Sequence, residues 1–411
     1  EPQSLLNGSD FFKERGKMQK FIQYTPTEIL FGENTQAEVG KEVKKWGGSR
    51  VFIVYGGGSV KKSGLLAQVE EALEKEGLAY EEFGGVKPNP RMAYAQEGVE
   101  KAIEFGADFL LAVGGGSAID TAKGIAIGAA NPGTDIWEFW KNKKELKKAL
   151  PVGTVLTISA AGSEMSNSSV ITKEEGMFKR GATGEAFRPK FTIMNPALTQ
   201  TLPAYQTACG ITDIMAHLYE RYLTNTEEVE VTDRMIEGLL LTMIHEGPRV
   251  IADPDNYQAR ANIMWAGMMA HNNSCGVGRT QDWTSHNIEH ELSALYDCAH
   301  GAGLAVVMPA VFTYTLEHNV MRFAQAAVRV WGCQMDFADP KRTALEGIEA
   351  LRNFLISIGM PKNFAELGAK EEDIEKLAHT CCYGDVNTGT VEGFATLDQK
   401  DVENIYKLMV F

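Results

Sequence analysis

Three features that would place this chain in other functional classes are scarce or missing. Basic residues are outnumbered, with 40 Lys and Arg against 54 Asp and Glu and a net charge of −14, which argues against binding to nucleic acid or to an anionic membrane. No apolar run approaches the ~20 residues that a membrane span requires. The six cysteines are scattered without a C-x-x-C motif, and in a chain of 411 residues they indicate reduced thiols and a cytoplasmic protein.

The composition is otherwise that of a globular protein, with 44% hydrophobic and 23% charged residues. The length predicts two domains. The first 17 residues lack the apolar core of a signal peptide, and Met18 opens a segment that reads like a native start. We therefore interpret residues 1–17 as a tag or a disordered extension, and we predict domains over residues 18–200 and 201–411.

The first domain alternates short apolar runs with helical patterns. The runs that predict buried strands are 50–55, 108–113, 154–159 and 190–195. The first two end in Gly-Gly-Gly-Ser turns and lead into amphipathic or apolar helical segments. This order predicts a parallel sheet with βαβ connections, that is, an α/β dinucleotide-binding domain. From residue 201 onward the pattern is helical almost throughout, which predicts an all-α second domain.

The two glycine-rich turns are candidates for binding phosphate. Glycines between a buried strand and a helix let backbone N–H groups approach an anion, and the helix N-terminus adds a favourable partial charge. Gly114–Ser117 fits best, because Asp120 and Lys123 follow on the first turns of a helix. A single turn of this kind could be structural, but two in one domain favour a nucleotide cofactor.

The other turn, Gly56–Ser59, bears on the choice of cofactor. An acidic residue near this strand end would bind the ribose hydroxyls of NAD, whereas a basic one accommodates the 2′-phosphate of NADP. Here no Asp or Glu is present, and Lys61 and Lys62 follow closely. The pattern favours NADP(H) over NAD(H). The alternative is that both lysines belong to a solvated helix face.

Five side chains at helical spacing predict a metal site. Asp213 and His217 stand four apart, as do His286 and His290, so each pair shares one face of a helix. His300 follows at the start of a new turn. Three imidazoles and one carboxylate suit Zn(II) or Fe(II), and we predict Asp213, His217, His286 and His300 as the ligands. The ion would act as a Lewis acid during hydride transfer.

His290 is predicted to lie close to the metal without necessarily binding it. It could relay a proton or contact the substrate, or it could pack behind the ligands. The other histidines are interpreted as structural or surface residues; these are His245, His271, His318 and His379.

Several segments in combination resemble one family. They are YGGGSVKKSG, KPNP, LLAVGGGSAIDTAK, GITDIMAHLYE and QDWTSHNIEHELSALYDCAHG. The chain resembles the iron-containing (group III) alcohol dehydrogenases from about residue 18 onward, and within them the butanol dehydrogenase and NADPH-dependent aldehyde reductase branch. The resemblance implies an active site in the cleft between the two domains and a homodimer formed through the first domain. It also implies the ligand set given above, with His290 near the nicotinamide and the substrate.

For the cofactor, the resemblance implies contacts along the first domain. Thr157 would lie near the nicotinamide and Lys179 would reach the cofactor ribose. The remaining contacts are Gly56, Gly57, Gly58, Ser59, Asn89 of KPNP, the pyrophosphate turn Gly115, Gly116 and Ser117, and Asp120 after it.

Two segments depart from the family pattern. Ala160 and Ala161 stand where many relatives have threonines, so the nicotinamide contacts are expected to differ. Ile288 and Glu289 stand where many have smaller or apolar residues, which is expected to change the substrate pocket.

The leading hypothesis is a metal-dependent oxidoreductase that transfers a hydride between NAD(P)H and a small aldehyde or primary alcohol. Glycerol-type dehydrogenases and dehydroquinate-synthase-like cyclases share the domain plan. The cyclase requires basic residues for its phosphate substrate, and the segment 260–300 offers only Arg260 and Arg279. A non-enzyme would use the glycine turns and the metal only to stabilise the fold. Neither the native metal nor the particular substrate follows from the sequence.

Overall fold

A computed structural model describes residues 17–141, 144–384 and 387–411. The extension predicted for residues 1–17 lies outside the described residues except for Lys17. The predicted fold class is confirmed, with a parallel sheet flanked by helices in the first part of the chain and helices in the second. All described strands lie before residue 195 and the first long helix of the second part begins at residue 204, while the domain division at residue 200 stays a prediction.

Six parallel strands form the main sheet, in the order β1-β8-β5-β4-β2-β3. The strands of the chain are β1 Glu28–Phe31, β2 Arg50–Tyr55, β3 Ala79–Phe83, β4 Phe109–Gly114, β5 Val152–Leu156, β6 Ser168–Lys173, β7 Phe178–Thr183 and β8 Phe191–Met194. The four strands expected from apolar runs are β2, β4, β5 and β8, although β5 begins two residues before its prediction and ends at Leu156. The two edge strands, β1 and β3, were not predicted because their residues are half-exposed and their sequences mix charged and apolar side chains.

The helices of the first part cover both faces of the sheet. They are α1 Val39–Lys45, α2 Ser59–Lys62, α3 Leu65–Lys75, α4 Met92–Phe105, α5 Gly116–Ala130 and α6 Trp137–Trp140. Val51 and Ile53 of β2 pack with α1 and α3, whereas Phe52 and Val54 pack with α5 on the opposite face. This alternation explains why β2 reads as a continuous apolar run, since both of its faces are buried.

Strands β6 and β7 form a separate antiparallel hairpin that was not predicted. Polar residues such as Ser168 and Arg180 interrupt any apolar alternation, so the sequence carries no clear strand signal here. The hairpin leaves the sheet and packs β7 against helix α10 of the second part, Thr284–Tyr296. It therefore links the two parts of the molecule beside their shared cavity.

The second part is built from packed helices around one large apolar core. They are α7 Ala204–Tyr222, α8 Glu230–Ala252, α9 Tyr257–His271, α10, α11 His300–Thr315, α12 Val320–Arg329, α13 Pro340–Ser357, α14 Phe364–Leu367, α15 Ile374–Tyr383 and α16 Gln399–Lys407. Short 3₁₀ turns occupy Thr35–Glu38, Glu185–Phe187, Pro196–Thr199, Leu316–His318 and Glu371–Asp373. The closing helix α16 begins with a capping box between Asp398 and Asp401. No helix of the described ranges is long and apolar enough to cross a membrane.

The register of the sheet places both glycine-rich turns side by side. Tyr55 at the end of β2 pairs with Val113 of the neighbouring strand β4, so both strands end at the same level of the sheet. Parallel strands present their carboxyl ends at one edge, where ligands of open α/β sheets bind. This edge faces α7, α10 and α11 across a cavity of about 1660 Å³.

Candidate active site

The sheet side of the cavity consists largely of main chain. Gly115, Gly116, Ser117 and Ala118 line it where α5 begins, and the N-terminal amides of a helix lack partners within the helix. A Cβ on Gly115 would lie 2.2 Å from the Ile158 side chain, so only glycine fits that position. The turn can therefore bring backbone N–H groups close to an anion.

A buried ionic group supports the loop that follows β5. The Lys123 ammonium is fully buried and lies 2.7–3.3 Å from oxygens of Ser163, Ser166 and Ser168. The Asp120 carboxylate accepts bonds from the Ser163 hydroxyl at 2.6 Å and the Val170 N–H at 2.9 Å. Asp120, predicted to contact the cofactor, lines the cavity and also holds this loop and the hairpin in place.

The predicted cofactor residues, apart from one, line this cavity. Gly56, Gly57, Ser59 and Thr157 lie along it. Gly58 is absent from its lining and directly precedes α2, with a φ of +115°. Lys61 is paired with Glu82 at 2.8 Å, and Lys62 is exposed at the surface.

Asn89 and Lys179 also line the cavity, but they contact the second part of the chain. The Lys179 ammonium donates to the Asn89 Oδ1 at 3.0 Å and lies 3.4 Å from the His300 Nδ1. The Asn89 amide donates to Asp297 and to the Cys298 carbonyl, both at 3.1 Å. Both side chains therefore join the sheet side of the cavity to the loop between α10 and α11.

The helical side brings together the four predicted ligands. Helix α7 carries Asp213 and His217, α10 carries His286, and His300 is the first residue of α11. The Asp213 Oδ1 lies 3.4 Å from the Nε2 of His217, 3.6 Å from that of His286 and 3.9 Å from that of His300. Because the i,i+4 spacing directs both ligands of α7 to one side, the cluster follows from the helical repeat.

These atoms have the arrangement expected around one cation. The Asp213 Oδ1 and the His286 Nε2 are buried and lack hydrogen-bond partners among the described residues. Ligand atoms about 2.1 Å from one ion lie roughly 3.4 Å apart in a tetrahedral shell. The three distances from the Asp213 Oδ1 are close to this value, and Asp213, His286 and His300 offer ligand atoms that all lie within 4.8 Å of one another. A buried carboxylate oxygen facing three imidazole nitrogens is costly without a positive charge between them. The donor set therefore fits a divalent metal.

Burial and charge set the protonation of the histidines. Burial lowers the pKa of His217, His271 and His290 well below 6.5, which keeps these imidazoles neutral. Burial also acts to lower the pKa of His286, but Glu220 and Asp213 outweigh it and raise that pKa to about 10. Without a metal, a proton on His286 would compensate the two carboxylates, and a metal would have to displace it.

His290 lies one turn after His286, and its ring lines the cavity. Its ring centroid is 6.2 Å from that of His286 and 5.7 Å from that of His300. It lies close to the proposed ligands and is not one of the three imidazoles whose Nε2 atoms face the Asp213 Oδ1.

Two further aromatic side chains line the cavity. His271, interpreted as structural, ends α9 and lines the cavity with its ring centroid 4.3 Å from that of His217. Its Nδ1 lies 3.1 Å from Arg221 and its Nε2 lies 3.1 Å from the Ser168 hydroxyl on β6. Trp283 packs with its centroid 5.4 Å from that of His286 and also lines the cavity. The sequence offered no spacing signal for the contacts of His271, because its partners Arg221 and Ser168 lie on separate elements.

Two thiols line the cavity. Burial raises the pKa of Cys209 to about 12 and raises that of Cys381 well above its ordinary value. None of the chain's cysteines forms a disulfide.

A parallel sheet with glycine turns at its carboxyl edge, facing a cluster of imidazoles and a carboxylate, is typical of a nucleotide-dependent enzyme with a metal centre. Residues 26–196 match the family model described as iron-containing alcohol dehydrogenase, and residues 207–410 match that of the C-terminal part of the same family. The chain belongs to the iron-containing alcohol dehydrogenase family, as its sequence motifs predict.

Individual relatives support this assignment over nearly the whole chain. A probable NADH-dependent butanol dehydrogenase 1 of Bacillus subtilis is 41% identical over 390 residues, which are 95% of this chain and 99% of the relative. The NADPH-dependent aldehyde reductase YqhD of Escherichia coli is 38% identical over 88% of this chain and 92% of its own length. The crystal structure of NADH-dependent butanol dehydrogenase A from Thermotoga maritima superimposes with a TM-score of 0.93, at 38% identity, covering 96% of this chain and all of that one.

Proposed function

We propose that this protein is a metal-dependent oxidoreductase that transfers a hydride between NAD(P)H and a small aldehyde or primary alcohol. The observation that carries the proposal is the meeting of the glycine turns and the Asp213 cluster in one cavity. Ordinary small-molecule pockets hold about 300–1,000 Å³, so a cavity of about 1660 Å³ has room for a dinucleotide beside a small substrate. The names of the relatives, which are butanol dehydrogenases and an aldehyde reductase, support this substrate class.

In this proposal the cofactor pyrophosphate binds at the start of α5. Gly116 and Ser117 line the cavity in the first turn of α5, where backbone amides have no partner within the helix, and the partial positive charge of the helix N-terminus favours a phosphate. Thr157 follows at the end of β5, on the path from this turn toward the helical wall. The sheet side would thus fix the cofactor so that its nicotinamide extends toward the histidines.

Asp213, His217, His286 and His300 would hold Fe(II) or Zn(II). Both ions accept nitrogen and oxygen ligands, and the family name favours iron. When bound, the metal supplies a Lewis acid that polarises the oxygen of the substrate. The four side chains orient the ion, and the buried walls around them limit access of water.

His290 would serve the substrate. Its neutral imidazole lies in the cavity next to the ligands, where it can hold a proton for the substrate oxygen or accept one from it. Trp283 lies beside the same cluster and offers an apolar surface for a short carbon chain.

The preference for NADP(H) over NAD(H) is also a proposal. The turn after β2 carries no acid, and a Cβ on Gly56 would meet only the Val86 carbonyl at 3.6 Å, so space is open at this position. Lys62 is exposed beside the turn, while Lys61 is engaged by Glu82. Relatives named for NADH and for NADPH occur at similar identity, so the proposed preference is based on the residues at this turn.

Fluorescence titration with NADPH and NADH, followed by a panel of C2–C6 aldehydes and diols after reconstitution with Fe(II) or Zn(II), tests the function. We expect NADPH to bind more tightly and metal-loaded protein to reduce short aldehydes. Absence of binding to either cofactor would refute the dehydrogenase proposal.

A cyclase acting on an anionic phosphate substrate is not favoured. Three of the arginines that line the cavity are paired with carboxylates: Arg180 with Glu291 at 2.9 Å, Arg188 with Glu185 at 2.7 Å and Arg279 with Asp233 at 2.8 Å. Paired guanidinium groups bind a further anion less well than free ones.

The predicted homodimer and cytoplasmic location remain part of the proposal. Met18, Phe21, Ile22 and Tyr24 are about half to nine-tenths exposed along one segment, and exposed apolar groups of this kind favour a protein partner. The unpaired cysteines suit a reducing compartment. Light scattering coupled to size exclusion would test the dimer, and cell fractionation the location.

A further inference from the structure

Two fully buried carboxylates lie behind the histidine cluster. The Glu220 carboxylate, on α7, contacts the Nδ1 of His286 and accepts a bond from the His286 backbone N–H at 2.9 Å. The Glu289 carboxylate, on α10, contacts the Nδ1 of His300 and accepts a bond from the Ser293 hydroxyl. Each carboxylate therefore holds one imidazole through the nitrogen that faces away from Asp213.

These contacts determine which nitrogen is free to bind a ligand. A carboxylate at Nδ1 favours a proton on that nitrogen, which leaves the lone pair on Nε2. In both His286 and His300 the Nε2 faces the Asp213 Oδ1, at 3.6 and 3.9 Å. His217 differs, because its Nδ1 is buried and has no hydrogen-bond partner in the described part of the chain.

Glu289 also has its own compensating charge. The Lys179 ammonium lies 3.6 Å from its carboxylate, and both side chains are almost completely buried. Lys179 is fixed in turn by Asn89 at 3.0 Å. The Lys179 ammonium therefore offsets part of the cost of burying the Glu289 carboxylate beside His300.

The position of Glu289 corrects an expectation from the sequence. Ile288 and Glu289 were expected to change the substrate pocket, yet both are fully buried and neither belongs to the cavity lining. Ile288 packs in the core, and Glu289 contacts His300.

We propose that Glu220 and Glu289 are positioning residues that fix the tautomer and direction of His286 and His300 and so set the affinity of the site for its metal. The inference depends on the proposed metal site. It predicts that two of the three imidazoles are held by carboxylates, while His217 is held by packing alone.

The test measures metal binding directly, with the full-length chain. Zn(II) affinity is determined by competition with a chromophoric chelator for the parent, Glu220→Gln and Glu289→Gln, and Co(II)-loaded samples give visible absorption spectra. We expect each variant to bind Zn(II) about 10–100-fold more weakly and to show an altered Co(II) spectrum. Glu291→Gln is the matched control, since Glu291 is a buried carboxylate on the same helix that pairs with Arg180; its affinity should stay within about threefold of the parent.

The outcomes separate this inference from the proposed function. A parent protein that binds no metal, or that binds it equally well after His286→Ala, would refute the metal site itself. A parent that binds metal while both glutamine variants match it in affinity and spectrum would overturn only the positioning role. An equal loss in Glu291→Gln would also overturn it, because the effect would then be general to buried charges. Should a glutamine variant fail to fold, Ser293→Ala weakens the support of Glu289 more mildly and should lower affinity in the same direction.

Discussion

The sheet wall and the helical wall of the cavity differ in what they present to a ligand. Along the sheet wall, Gly56, Gly115 and Gly116 expose main chain, and the charged Lys123 is withdrawn beneath the surface. Along the helical wall, Asp213 and the histidines present charged or lone-pair side chains, two of them backed by carboxylates.

This difference reflects the chemistry of the two ligands. A phosphate is bound by several N–H groups at close range, which requires the absence of side chains. A metal requires particular donor atoms in fixed positions, which requires side chains and a second layer that holds them. Substitutions that add a side chain should therefore impair ligand binding at the sheet wall, whereas substitutions that remove a side chain should impair it at the helical wall.

The largest effect is expected for His286→Ala. It removes one of four ligands and leaves Glu220 without its imidazole, so we expect loss of bound metal and a fall in kcat/KM of roughly 10³-fold or more, because several kcal/mol of Lewis-acid stabilisation disappear. Metal analysis and steady-state rates measure it. His379→Ala, an exposed histidine on α15, is the control and should change neither quantity. Retention of metal by His286→Ala would contradict the ligand set.

His290→Ala should have a smaller and more selective effect. The metal should remain, while kcat falls by about 10²-fold through loss of a proton-transferring group. Metal content and the pH dependence of kcat are measured on the same sample. If this variant loses its metal together with its activity, the separation between His290 and the ligands is wrong.

Glu164→Gln tests the buried charges beneath the sheet wall. Burial raises the pKa of Glu164 from 4.5 to about 7, because desolvation outweighs a backbone hydrogen bond and the charge of Lys123. A carboxyl group whose pKa is raised by folding stabilises the protein at pH values below its pKa in the unfolded chain. This stabilisation is lost as the pH rises through its pKa in the folded protein, so above about pH 7 the protein carries the cost of a buried, ionised carboxylate. We therefore expect the free energy of unfolding of Glu164→Gln, relative to that of the parent, to be higher by on the order of 2 kcal/mol at about pH 8 than at about pH 4. Denaturant unfolding at both pH values measures the difference, and an equal change at both would exclude titration of Glu164 as its cause.

The smallest effect is expected for Gly56→Asp. A carboxylate at this turn should repel a 2′-phosphate and bind ribose hydroxyls, lowering the ratio of kcat/KM for NADPH to that for NADH by about tenfold, or ~1.4 kcal/mol. Gly56→Ala adds the Cβ without the charge and should leave the ratio near that of the parent. An unchanged ratio in Gly56→Asp would place the cofactor ribose elsewhere.

The sequence predicted those parts of the structure that depend on local periodicity. Strands β2 and β4 are buried on both faces and read as apolar runs, and the i,i+4 spacing of Asp213 and His217 directed both side chains to one site. The hairpin β6–β7 carries too many polar residues for such a signal. Helix α8 continues through Pro248 to Ala252, and beyond the proline Val250 is buried in the core, which offsets the hydrogen bond that the proline cannot donate.

The spacing of residues along the sequence could not predict contacts between side chains on different helices or strands. Glu220 stands three residues after His217, and Glu289 directly precedes His290, so both were within the recognised motifs. Their partners, His286 and His300, lie on other helices, and only the crossing of α7, α10 and α11 brings them together. His271 likewise reaches Ser168 across the two parts of the chain.

The protonation of the two thiols that line the cavity affects how readily aldehydes react with them. Aldehydes are electrophiles, and a thiolate would add to them and block the pocket. The raised pKa values of Cys209 and Cys381 keep both sulfurs protonated at neutral pH, and a thiol is a far weaker nucleophile than its anion. Burial of these two sulfurs thus favours the less reactive thiol form beside the site proposed for the aldehyde.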